Sequence, residues 1–112
     1  ALNGLTGLLA GGNKLMTLPD SIAALAQMKT LYLFNNKFTT LPKPIVKLTS
    51  LTVLNLYNNK LVTLPDSIAA LTALKRLILS NNPLAKPQSS AVEAWLTALR
   101  AGSCTVVMPH GW

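Results

Sequence analysis

One spacing governs this chain: at intervals of 23 residues it repeats itself. Residues 5–27, 28–50 and 51–73 form three full units, and 74–88 opens a fourth before the pattern departs. The first position of each unit holds Leu5, Met28, Leu51 and Leu74. The fourth holds Leu8, Leu31, Leu54 and Leu77, and the sixth Ala10, Leu33, Leu56 and Leu79. The ninth is Asn13, Asn36, Asn59 and Asn82, and the eleventh Leu15, Phe38, Leu61 and Leu84. Leu-Pro follows at 18–19, 41–42 and 64–65, then Ile22, Ile45 and Ile68, and three residues later Leu25, Leu48 and Leu71. Segments 14–25 and 60–71 differ only at Met16 against Val62, which points to recent duplication or to consensus design. A period of this length marks stacked supersecondary units, each of which buries its apolar face only against its neighbours.

Each column has a physical job. Leu31/Leu33, Leu54/Leu56 and Leu77/Leu79 alternate with period 2, as in a strand with one buried face, and are expected in the core. Successive strands in a parallel sheet need a crossover, which the segment around Leu-Pro and Ile supplies. Its Ile and Leu, three apart, fit one buried helical turn. Asp20-Ser21 and Asp66-Ser67 sit where an N-cap is wanted, and Pro44 suits a first helical position. The Asn column (Asn13, Asn36, Asn59, Asn82) is read as structural: carboxamides carry donors and acceptors for backbone groups that turn inward after each strand.

The motif L-x-x-L-x-L-x-x-N-x-L, followed by L-P-x-x-I-x-x-L, resembles the leucine-rich repeats over roughly residues 1–87. Within them it is similar to the 23-residue subclass of scribble-type scaffolds, ROCO proteins, plant intracellular Ras-group proteins and some bacterial effectors. The resemblance implies an α/β leucine-rich-repeat solenoid. A short parallel sheet would line the concave face, with short helices or turns on the convex face. The chain is read as one domain, 1–112, with residues 1–4 as the tail of a preceding partial repeat and 89–112 as a C-terminal cap. In that cap, Ser90 to Glu93 matches a capping box, and Val92, Trp95, Leu96 and Leu99 form one helix face. Arg100 falls in the last turn, Gly102 stops the helix, and Thr105–Met108 is a candidate final strand. Trp95 is read as a core plug. No comparable cap precedes Leu2, Leu5, Leu8 and Leu15, and Gly7, Gly11 and Gly12 weaken the first strand. A fragment, a chain that associates through this uncapped end, and a fraying first repeat are the readings left open.

Ten basic residues against three acids (Asp20, Asp66, Glu93) leave a net charge of +7. Such a charge favours an acidic protein surface, nucleic acid or an anionic membrane, or serves solubility alone. Cys104 is the only cysteine, so no internal disulfide forms, and no apolar run is long enough to span a membrane. No signal peptide is visible at the N-terminus, which starts at Ala1. Extracellular members of the family usually carry disulfide-bonded caps. That resemblance leans towards an intracellular protein or one delivered into a host cell, with localisation otherwise open.

Enzyme chemistry finds no support. His110 and Cys104 stand six apart without a third partner, the acids are scattered, Gly11-Gly12-Asn13-Lys14 lacks P-loop spacing, and neither metal nor cofactor is expected. Binding is expected on the outward strand positions, whose identities packing does not dictate: Lys29, Tyr32, Phe34, Asn55, Tyr57, Lys75, Arg76 and Ile78. Tyr32, Phe34 and Tyr57 form an expected aromatic cluster flanked by Lys29, Lys75 and Arg76. Aromatic and Arg side chains are typical interface anchors, and the alternative is ordinary strand-surface packing. Lys14, Lys37 and Lys60 form a further column, read as a grip for an acidic partner or as solvated loop residues. Three functions follow: a protein-interaction module with a mixed or acidic partner; a recognition segment of a larger effector, receptor or ligase; and, least favoured, electrostatic binding to nucleic acid or membrane. No small-molecule substrate is expected.

Overall fold

The structure, a computed structural model, describes residues 7–9, 28–41 and 43–112, with residues 7–9 and Pro44 as backbone only. Residues 1–6 and 10–27 lie outside the described residues, and with them the expectations for Leu2, Leu5, Asn13, Lys14, Leu15, Asp20 and Ser21. Five strands form one parallel sheet in chain order: β1 (Gly7–Leu9), β2 (Thr30–Tyr32), β3 (Val53–Asn55), β4 (Arg76–Ile78) and β5 (Thr105–Val107). The register is locked to the sequence period. Leu8, Leu31, Leu54 and Leu77 stand side by side across β1 to β4. Val106 takes the same place in β5, 29 residues beyond Leu77.

Behind the sheet, the leucine columns form a continuous core. Leu31, Leu33, Leu54, Leu56, Leu77 and Leu79 are fully buried, as are Phe38, Ile45, Leu48, Leu61, Ile68 and Leu71. Among the described residues, two short 3₁₀ helices return the chain: η1 (Lys43–Lys47) and η2 (Asp66–Ala70). In both of these turns the central Ile reaches the core, and the following Leu closes the turn: Leu48 N–H donates to Ile45 O and Leu71 N–H to Ile68 O, both at 3.0 Å. The expected N-cap role of Asp66 is corrected. Pro65 is the cap residue, no side chain caps the turn, and Asp66 is its first helical residue. With its carboxylate free of that task, Asp66 accepts a hydrogen bond from the Ser89 hydroxyl instead. Pro44 likewise falls second, not first, in η1.

The chain then forms α1 (Ser90–Ala101), which packs against η2 and β5. Its start lies one residue earlier than the Ser90–Glu93 box suggested. Ser89 is the N-cap and accepts from Val92 N–H at 3.3 Å, while Glu93 reaches back to Gln88 N–H at 3.2 Å. The box spacing fits Ser90, but it is Ser89 whose hydroxyl both caps the helix and meets Asp66. Val92, Trp95, Leu96 and Leu99 are buried on one face. Trp95 is a core residue whose Nε1–H donates to Leu71 O at 3.0 Å. Gly102 caps the C-terminus, and β5 ends at Val107, one residue short of Met108.

Candidate functional site

Two asparagine rows flank the sheet where its strands end, and they have different tasks. The inner row is buried and serves the backbone. Asn59 Nδ2 donates to Leu33 O and Leu56 O, both at 3.0 Å, and Asn82 Nδ2 to Leu56 O and Leu79 O, both at 2.9 Å. Asn36 Nδ2 donates to Leu33 O at 2.9 Å. In return, Asn59 Oδ1 accepts from Phe38 N–H and Asn82 Oδ1 from Asn59 and Leu61 N–H. A row so fully engaged is scaffold.

The outer row, Asn35, Asn58 and Asn81, was not singled out from the sequence. Their φ angles are 57°, 58° and 58°, the left-handed region that Asn tolerates better than bulkier residues. Their amides link in a chain across the surface: Asn58 Nδ2 to Asn35 Oδ1 at 2.8 Å, and Asn81 Nδ2 to Asn58 Oδ1 at 2.7 Å. Gly12 in the same column was the available signal, since Gly is the default residue for positive φ. Gln88 was also missed. It is buried, accepts from Leu64 N–H at 2.8 Å and donates to Val62 O and Ala85 O, so its amide bridges the backbone of the third and fourth units' loops.

On the open face of the sheet, outward residues stand in rows. Thr30, Val53, Arg76 and Thr105 make one; Tyr32, Asn55, Ile78 and Val107 make the next. A shallow depression of about 400 Å³ crosses these rows, lined by Tyr32, Phe34, Val53, Asn55, Arg76 and Ile78. The Tyr32 and Phe34 rings tilt together, 6.4 Å apart at 54°. Five of the eight face residues expected from the sequence thus converge, joined by Val53. Tyr57 is 42% exposed and, with Lys29 and Lys75, lies outside this lining.

The polar groups in the depression are chiefly donors. Asn55 Oδ1 is engaged by Tyr57 N–H at 3.0 Å, which turns its Nδ2 into the amide's outward function. Arg76 adds a guanidinium, which can only donate. The described acids sit elsewhere: Asp66 is on η2 and Glu93 on α1, each accepting a hydrogen bond there. The open face therefore carries positive charge without a compensating carboxylate among the described residues.

Cys104 and His110 are not brought together as a catalytic pair. Cys104 is buried, and burial pushes its thiol above the usual 9.0, with Lys75 partly opposing the shift, the reverse of what a nucleophile needs. His110 is exposed and lines a different depression, of about 520 Å³, with Asn58, Asn59, Lys60, Asn81 and Asn82. Among the described residues no group of three or more His, Cys, Asp or Glu is placed to hold a metal ion, and no helix is long and apolar enough to cross a membrane.

This repeated strand and turn, with buried leucines and an Asn row, defines a parallel leucine-rich architecture. Residues 27–84 match the family model described as leucine rich repeat, and the chain belongs to that family. Its structure is similar to a leucine-rich-repeat protein of Leptospira interrogans, at 37% identity over 90% of this chain with a TM-score of 0.76. It is also similar to the leucine-rich-repeat ectodomain of the receptor kinase SOBIR1 from Arabidopsis thaliana, at 31% identity over 69% of the chain with a TM-score of 0.59. This chain spans 24% and 44% of those two chains respectively. No curated protein gives a significant match. Leucine-rich-repeat domains generally serve protein–protein interaction and are typically not enzymes.

Proposed function

We propose that this chain is a non-enzymatic recognition module that holds an acidic or mixed protein surface against the open face of its sheet. The donor-rich depression carries the reading. Arg76 and the Asn55 amide offer hydrogen bonds to a carboxylate, inside a frame of Tyr32, Phe34, Val53 and Ile78 that accepts an apolar side chain. Lys29, Lys75 and Tyr57 are the flanking contacts. The same strand face is the concave side of the solenoid that the 23-residue subclass implies. In this reading the chain is one domain, and residues 89–112 cap its last repeat: α1 covers η2, and β5 completes the sheet. A recognition segment of a larger receptor or effector is the second reading, supported by the greater length of both similar structures.

The test is affinity capture and interface mapping by crosslinking, comparing the native chain with a Tyr32→Ala/Phe34→Ala/Arg76→Ala variant of unchanged melting temperature. Loss of one such anchor costs about 2 kcal/mol or more, roughly 30-fold in Kd. The partner should crosslink through acidic peptides and release as salt rises. Equal capture by both chains would make the depression ordinary strand packing.

A further inference from the structure

The crossover side carries a second surface that strand-face binding does not use. An open groove of about 740 Å³ runs between η1 and η2. Its floor is apolar: Leu41 is nearly buried, and Val46 and Pro65 are half-buried. Its rim holds the ammonium groups of Lys43 and Lys47 and the hydroxyls of Thr40, Thr63 and Ser67, all on exposed residues. Among the described residues no carboxylate lines it. Asp66, the acid next to Ser67, accepts through its Oδ1 from the Ser89 hydroxyl of the following segment.

Comparison of the repeats shows that the rim is not demanded by folding. At the five helix positions, the first and third units read Asp-Ser-Ile-Ala-Ala (20–24 and 66–70), whereas the second reads Lys-Pro-Ile-Val-Lys (43–47). Only the core residue, Ile45, is kept. An acid becomes Lys43, one alanine becomes the larger apolar Val46, and another becomes Lys47. η2 forms its turn and buries Ile68 with the other sequence, so solenoid packing accounts for neither lysine. The substitutions convert a weakly acidic ridge into an apolar trough with two cations on its edge. The lysines can only donate, and the hydroxyls can donate as well, so the site is complementary to carboxylates flanking an apolar side chain.

We propose that the η1–η2 groove is a second docking site, taking a short acidic peptide segment of a protein partner with one apolar side chain on the Leu41–Val46–Pro65 floor. The test is selection from a library of random 12-residue peptides displayed on phage, using the whole chain, followed by fluorescence anisotropy with the selected peptides. Two variants are compared. Lys43→Asp/Val46→Ala/Lys47→Ala restores residues that the flanking repeats already carry, and Arg76→Ala alters the strand face. Selected peptides should place Asp or Glu beside an apolar residue. They should bind about tenfold or more weakly to the triple variant, the scale of two partly exposed charge pairs. Arg76→Ala should leave them unchanged. Failure to enrich acidic peptides, or enriched peptides that ignore the triple variant or depend on Arg76, would overturn the proposal. The last outcome would leave the strand-face reading standing.

Discussion

Replacing Asn59 with Ala should be among the most damaging single polar changes in the chain, and the structure sets the size. Asn59 Oδ1 is the acceptor for Phe38 N–H, at 3.3 Å in the buried interior. Removing it strands that donor, at a cost of about 1–3 kcal/mol. Its Nδ2 also donates to Leu33 O and Leu56 O, but each carbonyl keeps a second amide donor, from Asn36 and Asn82 respectively. Those two losses add about 0.5 kcal/mol each, at the low end for a net hydrogen bond. The sum is about 2–4 kcal/mol, against a total stability of about 5–15 kcal/mol for a domain. At roughly 4 °C per kcal/mol for this size, the melting temperature falls by about 8–16 °C. Thermal and urea unfolding followed by circular dichroism measure it directly. Asn58→Gly is the matched control: Asn58 is exposed, its amide bonds reach only other side chains, and its φ of 58° suits glycine. Asn59→Ala melting within about 3 °C of the native chain, or no lower than Asn58→Gly, would refute the division into a structural inner row and a surface outer row.

Three further outcomes follow from the C-terminal segment. Trp95→Ala should cost about 3–5 kcal/mol by leaving a cavity between α1 and η2, and Trp95→Phe less, because only the bond to Leu71 O and part of the ring are lost; urea midpoints rank the two. Ser89→Ala should lower stability by about 1 kcal/mol through the lost helix cap, and Ser89→Asp should not recover it fully because Asp66 would face a second carboxylate. The raised Cys104 thiol stabilises the fold fully below its ordinary pKa of 9.0, and that contribution is lost as pH climbs towards the folded value. The unfolded chain gives up the proton first. Native stability should thus decline relative to Cys104→Ala only above about pH 9, where unfolding titrations can read it; a difference that stays flat into the alkaline range contradicts the burial argument.

Core and register were legible because a period forces them. Once Leu31, Leu54 and Leu77 share a column, only a parallel stack with those side chains inward buries them all, and the observed pairing follows. Helix boundaries were less legible, since Ser89 and Ser90 are both capable caps and only the three-dimensional position of Asp66 distinguishes them. Gln88 was invisible for a different reason: it serves the fold where the fourth unit has left the repeat, so no column marks it. The strand-face depression was partly legible. Alternation marks Tyr32, Val53, Asn55, Arg76 and Ile78 as outward, but not that Tyr57 would stand outside the lining, because period 2 gives a side chain's face and not which neighbours it meets.

The near-identity of segments 14–25 and 60–71 separates what stacking requires from what it permits. A column that stays constant across units, such as that of Ile45 and Ile68, is explained by the core. A column that changes while its neighbours hold is free of that demand. Lys43 and Asp66 differ within such a column on the crossover side, and Tyr32, Asn55 and Ile78 within one on the open sheet face. Within one repetitive scaffold, function is therefore to be sought in the departures from the repeat. Among the described residues, departures of side-chain chemistry cluster in space at the strand-face depression and at the η1–η2 groove, each lined by basic residues and by no described acid. Because they lie on different elements, around Arg76 on β4 and around Lys43 and Lys47 on η1, substitutions in one leave the other's frame intact. The two surfaces can be tested as independent sites.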